Sequence, residues 1–176
     1  MIAIISLVPD EHSAVLRSLA NLLVDNQESK DGELRYPHFS WQVAENYDLN
    51  ALSAKLKILA QKLHSFEITI NGIGIFTGIM PVVYLPIIKS SVLASIHNEI
   101  WKITEGLHKK PIDYYEMEQW IPHITILHQI TPSQFTSNGL NKIITLPIKL
   151  KMKIDNIAVG EVNDENAKIL GVYHFG

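Results

Sequence analysis

Residues 36–43, YPHFSWQV, and residues 120–127, WIPHITIL, share a pattern of proline, histidine, an apolar residue, Ser or Thr, and a second apolar residue. Bulky and β-branched residues surround both copies, which favours a β-strand for each. Side chains at positions i and i+2 of a strand point to the same face. The pattern therefore predicts one imidazole and one hydroxyl on a shared face of each strand. The pairs are His38 with Ser40 and His123 with Thr125.

Two imidazoles and two hydroxyls suit the cleavage of a phosphodiester. A histidine has an ordinary pKa of about 6.5, so one of a pair can accept a proton while the other donates one, each step adding roughly 10²- to 10⁴-fold in rate. Hydroxyl groups can donate hydrogen bonds to the nonbridging phosphate oxygens, where charge shifts in the transition state. If both faces line one cleft, they form a site that needs no metal. The alternative is that both histidines are structural and hydrogen-bonded in the core.

The rest of the chain alternates between strand and helix patterns. Turn residues separate short β-rich segments, which favours hairpins over the long crossovers of a parallel sheet. We therefore expect an α+β fold of one domain, residues 1–176, with largely antiparallel sheets. Strands are expected at 2–8, 36–44, 120–127, 148–162 and 167–176, and residues 66–87 are expected to form two or three strands joined by turns at Gly72, Gly74, Gly78 and Pro81. Helices are expected at 10–27, at 48–64, at 89–107, where Ser90 or Ser91 caps the start and Gly106 marks the end, and from Thr131. A polar and aromatic loop is expected at 109–119.

The composition limits the classes of function. The 176 residues are 47% apolar and 19% charged, which is typical of a globular protein. A net charge of -3 and a pI near 6.2 give no broad basic field for long duplex nucleic acid. The chain has no cysteine, which excludes disulfides and thiolate nucleophiles. The apolar start is short and lacks a preceding basic region, and no apolar run reaches membrane-spanning length. A cytoplasmic protein without membrane contact is the expectation.

In these motifs the chain resembles the 2H phosphoesterases, a family that includes bacterial 2'-5' RNA ligases and cyclic nucleotide phosphodiesterases. The family signature is a pair of H-x-[ST]-apolar motifs, roughly one in each half of the chain, and the matching stretches here are 38–41 and 123–126. The opening strand and helix, residues 82–101 and the closing strands also resemble the family layout. The resemblance implies two pseudo-symmetric lobes of antiparallel β-sheet with flanking helices around a central cleft, and no metal or organic cofactor.

Carried over by position, the resemblance makes His38 and His123 the general acid and base, in an order that stays open. It makes Ser40 and Thr125 the phosphate-binding hydroxyls. The implied reaction is hydrolysis, or reversible ligation, of a 2',3'-cyclic phosphate or a 2'-5'-linked nucleotide or RNA end. The alternative function is a non-catalytic RNA- or nucleotide-binding module that retains the cleft.

The chain departs from the family pattern at Trp41, where a small aliphatic residue is usual, and at His128, where an arginine often follows the second motif. Both are candidate substrate contacts, together with Arg35 and Tyr115. A solvated loop charge is the alternative for Arg35, and a loop-exposed imidazole is the alternative for His128. Tyr114, Tyr115 and Trp120 precede the second motif, where aromatic rings can stack on a base. The other histidines lack zinc-site spacing, so no metal site is predicted.

Overall fold

The structure is a computed structural model that describes residues 1–23, 36–79, 81–128, 141, 144–162 and 167–176. The helices in these ranges are α1 (Asp10–Leu23), α2 (Leu49–Ala60) and α3 (Ser91–Thr104), with a 3-10 turn at Asp113–Tyr115. The strands are β1 (Ile2–Leu7), β2 (His38–Tyr47), β3 (Phe66–Asn71), β4 (Gly74–Phe76), β5 (Val82–Pro86), β6 (His108–Pro111), β7 (His123–Leu127), β8 (Lys149–Ile154), β9 (Asn156–Val162) and β10 (Ala167–His174).

The strands form one large sheet and one ribbon. The large sheet runs β10-β9-β1-β2-β7-β5-β4, with β6 also paired to β2, while β3 and β8 form the ribbon. Every described pairing is antiparallel. The α+β class with antiparallel sheets is therefore confirmed. β2 and β7, which carry the two histidine motifs, are neighbours near the middle of the large sheet.

The two halves of the large sheet repeat one local arrangement around the prolines that precede the histidines. The backbone N–H of Val8, just after β1, donates to the carbonyl of Pro37 over 2.8 Å. The backbone N–H of Ile87, just after β5, donates to the carbonyl of Pro122 over the same 2.8 Å. The β1–β2 pair in one half thus corresponds to the β5–β7 pair in the other. The expected pseudo-symmetry is present, and the halves meet where β2 pairs with β7.

Helix α3 follows the signals predicted from its sequence. The Ser90 hydroxyl caps its start by accepting a hydrogen bond from the backbone N–H of Leu93 at 3.2 Å. Gly106 lies just beyond its end with a φ of 74°, a left-handed conformation that glycine adopts without strain. Within the described ranges, no helix is both long and apolar enough to span a membrane.

The closing segment differs from its prediction. Residues 148–162, expected as one strand, are divided at Asp155 into β8, in the ribbon, and β9, in the large sheet. The buried side chain of Asn156 explains the division, because its Oδ1 accepts from the Leu7 N–H at 2.8 Å and its Nδ2 donates to the Leu7 carbonyl at 3.1 Å. These contacts anchor the chain to the end of β1 and redirect it into the large sheet.

Further expectations concern the segment 109–119, the helix from Thr131 and Arg35. The segment 109–119, expected as a polar loop, contributes most of β6, whose backbone pairs with β2 between Ala44 and Tyr47. That pairing satisfies backbone groups of β2 beyond the short stretch it shares with β7. Residues 131–140, which make up most of the helix expected from Thr131, lie outside the described residues, as does Arg35.

Candidate active site

The register between β2 and β7 brings the two motifs together. Phe39 pairs with Ile124, and both side chains are fully buried. Because the strands are antiparallel and side chains alternate, the residues on either side of this pair point to the opposite face. That face carries all four motif residues, each of them half-buried. Continuing the register sets His38 beside Thr125 and Ser40 beside His123. Both motifs therefore face one cleft.

Both imidazoles are held in the same way. Nδ1 of His38 lies 2.7 Å from the carbonyl oxygen of Tyr36, and Nδ1 of His123 lies 2.6 Å from the carbonyl oxygen of Ile121. A carbonyl can only accept, so each Nδ1 carries the proton and donates it. The intervening proline disfavours helical conformation at the residue before it. The arrangement leaves Nε2 of each ring as the atom that can exchange a proton with a ligand.

The cleft lowers the pKa of both histidines. Burial is the largest cause for His38, with a smaller lowering from the charge of His123, and the hydrogen bond to Tyr36 opposes it. Burial also lowers the pKa of His123, against the hydrogen bond to Ile121. Mutual repulsion between the two imidazolium charges means that protonation of one disfavours protonation of the other. An anionic phosphate in the cleft would oppose both effects.

Ser40 is held from two sides. Nε1 of Trp120 donates to the Ser40 backbone carbonyl at 3.0 Å, and the hydroxyl of Tyr115 is hydrogen-bonded to the Ser40 side chain. Burial raises the pKa of Tyr115, and the hydrogen bond with Ser40 offsets part of the rise. Tyr115 is therefore a neutral phenol at physiological pH. It lies on the cleft side of the sheet, where the sequence predicted a substrate contact.

Trp41 does not lie where the sequence predicted. It is the extra residue of a β-bulge between the register pairs of Ser40 and Gln42, and its side chain is 0% exposed. Its Nε1 donates to the Ser6 hydroxyl at 2.9 Å, and its ring stacks on Trp120 with centroids 5.6 Å apart. The prediction that Trp41 contacts substrate is wrong for this structure, because the strand turns its side chain into the core.

An open cavity of about 520 Å³ lies beside the second motif. Its ring-bearing lining residues are Phe76, Tyr114, Tyr115, Trp120, His123 and His128. His128 follows the end of β7 and is exposed, and it shares this cavity with His123. A smaller cavity of about 50 Å³ lies beside His38. The described cavities beside the two histidines thus differ in size.

Two aromatic residues beside His123 were missed by sequence reasoning. Phe76 stacks on Tyr84 with centroids 4.1 Å apart, and the His123 ring meets them at 5.1 Å and 5.0 Å respectively. Both belong to the segment whose glycines predicted hairpin turns. The hairpin was predicted correctly, but its place beside β7 depends on a long-range pairing. An aromatic residue on each arm of that hairpin was the available signal.

A metal site gains no support from the side-chain arrangement: the described part of the chain contains no group of three or more His, Asp or Glu residues placed to hold an ion.

Comparison with known proteins gives a family and a fold. Residues 8–166 match the 2'-5' RNA ligase superfamily. The crystal structure of TT0787 from Thermus thermophilus is similar with a TM-score of 0.69 at 15% identity, over 99% of this chain and 97% of that one. E. coli LigT complexed with 3'-AMP gives 0.66 at 12% identity, with the same coverages. A phosphoesterase gives 0.65 at 12%, again over 99% and 97%. No curated protein sequence matches. At these identities the structural likeness supports the fold.

Proposed function

Since the chain belongs to the 2'-5' RNA ligase superfamily, we propose that it is a phosphoesterase acting on a 2',3'-cyclic phosphate or a 2'-5' linkage of a nucleotide or RNA end. Hydrolysis is the proposed direction, with ligation as its reverse. The observation that carries the proposal is the matched pair His38 and His123, whose Nδ1 atoms each donate to the carbonyl two residues earlier. A histidine with a purely structural role would need no Nε2 atom left available on the cleft side.

In the proposed reaction, Nε2 of one neutral histidine accepts the proton of an attacking water. The water oxygen bonds to phosphorus as the bond to the leaving ribose oxygen breaks. Nε2 of the other histidine, protonated, gives its proton to that oxygen. The hydroxyls of Ser40 and Thr125 donate to the nonbridging oxygens. Reversal exchanges the two histidine roles, so direction decides which histidine is the acid.

The test is turnover of 2',3'-cyclic nucleotides and 2'-5' dinucleotides by the purified protein with a chelator present. We expect turnover to persist in the chelator. His38→Ala and His123→Ala should each lower the rate about 10²- to 10⁴-fold. His174→Ala is the matched control, because this exposed histidine lies outside the cleft, near Asp155.

Circular dichroism and urea unfolding of each variant separate loss of chemistry from loss of fold. If both cleft variants kept the wild-type rate, the paired-histidine proposal would be wrong. If the wild-type protein bound these nucleotides but consumed none of them, the non-catalytic binding module would replace it.

A further inference from the structure

A β-bulge follows the motif hydroxyl in each half of the large sheet. On β2, the register with β1 makes Trp41 the extra residue directly after Ser40. On β7, the register with β5 makes Ile126 the extra residue directly after Thr125. A bulge shifts the alternation of a strand and often redirects a side chain beside an active site. The position of each hydroxyl in the cleft therefore depends on how its bulge is held.

Two side chains from outside β2 bind the backbone carbonyls of its bulge. Nε1 of Trp120 donates to the Ser40 carbonyl at 3.0 Å. Nε2 of His97, on α3, lies 3.0 Å from the Trp41 carbonyl. The rings of His97 and Trp120 are stacked on each other, with centroids 3.8 Å apart and an angle of 11° between their planes. Two consecutive carbonyls of the bulge are thus contacted by two side chains that pack together.

Nε2 of His97 has a second polar neighbour, Nε1 of Trp101, also at 3.0 Å. A carbonyl only accepts and an indole N–H only donates, so Nε2 can hydrogen-bond to one of the two at a time. The contact with the Trp41 carbonyl is buried, whereas the contact with Trp101 is partly buried, where water can replace it more readily. A buried carbonyl left without a donor is costly. These contacts favour the neutral tautomer of His97 with its proton on Nε2.

The helix in the other half of the sheet buries no titratable side chain. Helix α1 packs against β7 as α3 packs against β2. All 14 residues of α1 are described, and its buried residues are Ser13, Leu16, Leu19, Ala20 and Leu23. A helix can therefore pack on a bulged motif strand of this sheet without an imidazole. On α3, by contrast, His97 is fully buried, which indicates a role that packing alone does not require.

We infer that His97 is a positioning residue for catalysis, which holds the β2 bulge through the Trp41 carbonyl and Trp120 and so aims the Ser40 hydroxyl at the phosphate. His97 is 0% exposed, so it acts through Ser40 and does not touch the substrate. The inference rests on the proposed function and deepens it, because it assigns a buried residue of α3 to the alignment of one phosphate-binding hydroxyl.

The test compares two substitutions at His97 that each keep one of its contacts. His97→Phe keeps a ring that can stack on Trp120 and removes the donor to the Trp41 carbonyl. His97→Gln loses the ring, but its side-chain amide can still donate. With a 2',3'-cyclic nucleotide, we expect His97→Phe to lower kcat about ten- to a hundredfold with little change in KM, because a misplaced hydroxyl weakens contacts made in the transition state. His97→Gln should retain most of kcat.

Two controls separate positioning from a general loss of packing. Ile100→Val truncates another fully buried side chain of α3 and should lower the free energy of unfolding without lowering kcat. In a protein that already carries Ser40→Ala, His97→Phe should lower kcat no further, because the hydroxyl that it aims is gone. The positioning role would be overturned by an equal fall of kcat with and without the Ser40 hydroxyl. It would also be overturned if His97→Gln lost as much kcat as His97→Phe.

Hydrogen exchange tests the inference without turnover. The indole N–H of Trp120 donates to the Ser40 carbonyl, so its exchange rate reports how firmly the bulge is held. We expect this N–H to exchange about tenfold faster in His97→Phe than in the wild type or Ile100→Val, the scale of one lost buried hydrogen bond. If the wild type hydrolyses no cyclic nucleotide, the phosphoesterase proposal fails and His97 is judged by this rate alone. A rate in His97→Phe no faster than that in Ile100→Val would overturn its role at the bulge.

Discussion

Phe39 and Ile124 are register partners across β2 and β7, and each is fully buried. This contact joins the two pseudo-symmetric halves of the large sheet on its core side. On the cleft side, the same register determines which hydroxyl lies beside which histidine. Packing under the sheet and geometry above it therefore depend on the same pair of residues.

Truncation of a side chain at this pair should lower the stability of the fold. Ile124→Ala removes buried methyl groups and leaves a cavity, so we expect the free energy of unfolding to fall by about 2 to 5 kcal/mol in urea titrations. Ile88→Ala is the matched control, since Ile88 is 53% exposed and its loss should change stability by about 0.5 kcal/mol or less. Similar losses in both variants would contradict a specific role for the Phe39–Ile124 contact.

The dependence of catalysis on pH follows from the two cleft histidines. The pKa of His38 and the pKa of His123 both lie below the ordinary 6.5, chiefly through burial. The base must be neutral, so kcat/KM rises with pH through the lower apparent pKa. The acid must be protonated, so kcat/KM falls as pH rises through the higher one. Because the two histidines titrate together, the two apparent pKa values describe the pair in the free enzyme and are not assigned to one histidine each.

The maximum of kcat/KM should therefore lie below about pH 6.5, the ordinary histidine pKa. Initial rates at low substrate concentration, from about two pH units below that value to two above it, would measure the maximum. His174→Ala should leave the profile unchanged, whereas a maximum well above neutral pH would show that the cleft does not lower these pKa values.

His97 predicts a separate dependence of stability on pH. It is fully buried, its ring stacks on Trp120 with centroids 3.8 Å apart, and burial lowers its pKa from 6.5 to about 4. The unfolded chain binds a proton below about pH 6.5 where the folded chain does not, so stability is complete above that value. It falls as the pH drops toward about 4, by roughly 3 kcal/mol in total.

Urea unfolding at neutral pH and at two acidic values, about pH 5.5 and about pH 4.5, would measure this loss. His97→Gln should be less stable at neutral pH but should lose less stability on acidification than the wild type. A variant with the same slope against pH as the wild type would assign the acid sensitivity to other groups.

A substitution at Trp41, the extra residue of the β-bulge, tests whether its side chain belongs to the core or to the substrate site. Trp41→Phe removes the Nε1–H that donates to the Ser6 hydroxyl at 2.9 Å, while Ser6 keeps its own hydrogen bond to the Asn156 carbonyl at 2.6 Å. We expect unfolding to become easier by about 1 to 3 kcal/mol, the scale of a buried hydrogen bond lost on one side. KM for a cyclic nucleotide should stay unchanged. A large rise in KM with unchanged stability would restore Trp41 as a substrate contact.

The sequence predicted the parts of the fold and site that depend on local rules. Period-two alternation correctly placed His38 with Ser40, and the serine and glycine around α3 predicted its ends. Trp41 was misplaced because its departure from the family pattern suggested a role at the substrate, although alternation sets it on the buried face of Phe39. The β-bulge there depends on the register of β1, which the motif alone does not specify.

The aromatic wall beside His123 was missed for a related reason. Phe76 and Tyr84 lie on the two arms of a hairpin that the glycines predicted. Their contact with His123 arises from the pairing of β5 with β7, about forty positions apart in the chain, which no short stretch of sequence specifies. Local patterns therefore predicted the strands, while the contents of the cleft wall depend on which strands become neighbours.

Tyr115 is expected to position Ser40. The phenol is neutral, because burial raises the pKa of Tyr115, and its hydroxyl is hydrogen-bonded to the Ser40 side chain. This contact restricts the position of the Ser40 hydroxyl on the cleft side, where a phosphate oxygen would lie. Tyr115→Phe keeps the ring that packs against the sheet and removes only this hydrogen bond. We expect kcat to fall roughly tenfold, less than the 10²- to 10³-fold typical of losing a direct donor.

The same Tyr115 substitution in a variant without the Ser40 hydroxyl distinguishes positioning of Ser40 from packing of the Tyr115 ring. In a protein that already carries Ser40→Ala, Tyr115→Phe should lower kcat no further, because the hydroxyl it orients is gone. Ser40→Thr retains a hydroxyl and should preserve most of the sensitivity to Tyr115→Phe. If Tyr115→Phe lowered kcat equally with and without the Ser40 hydroxyl, its effect would come from the shape of the cleft wall. Equal free energies of unfolding for Tyr115→Phe and the wild type would show that the loss in kcat is not a loss of fold.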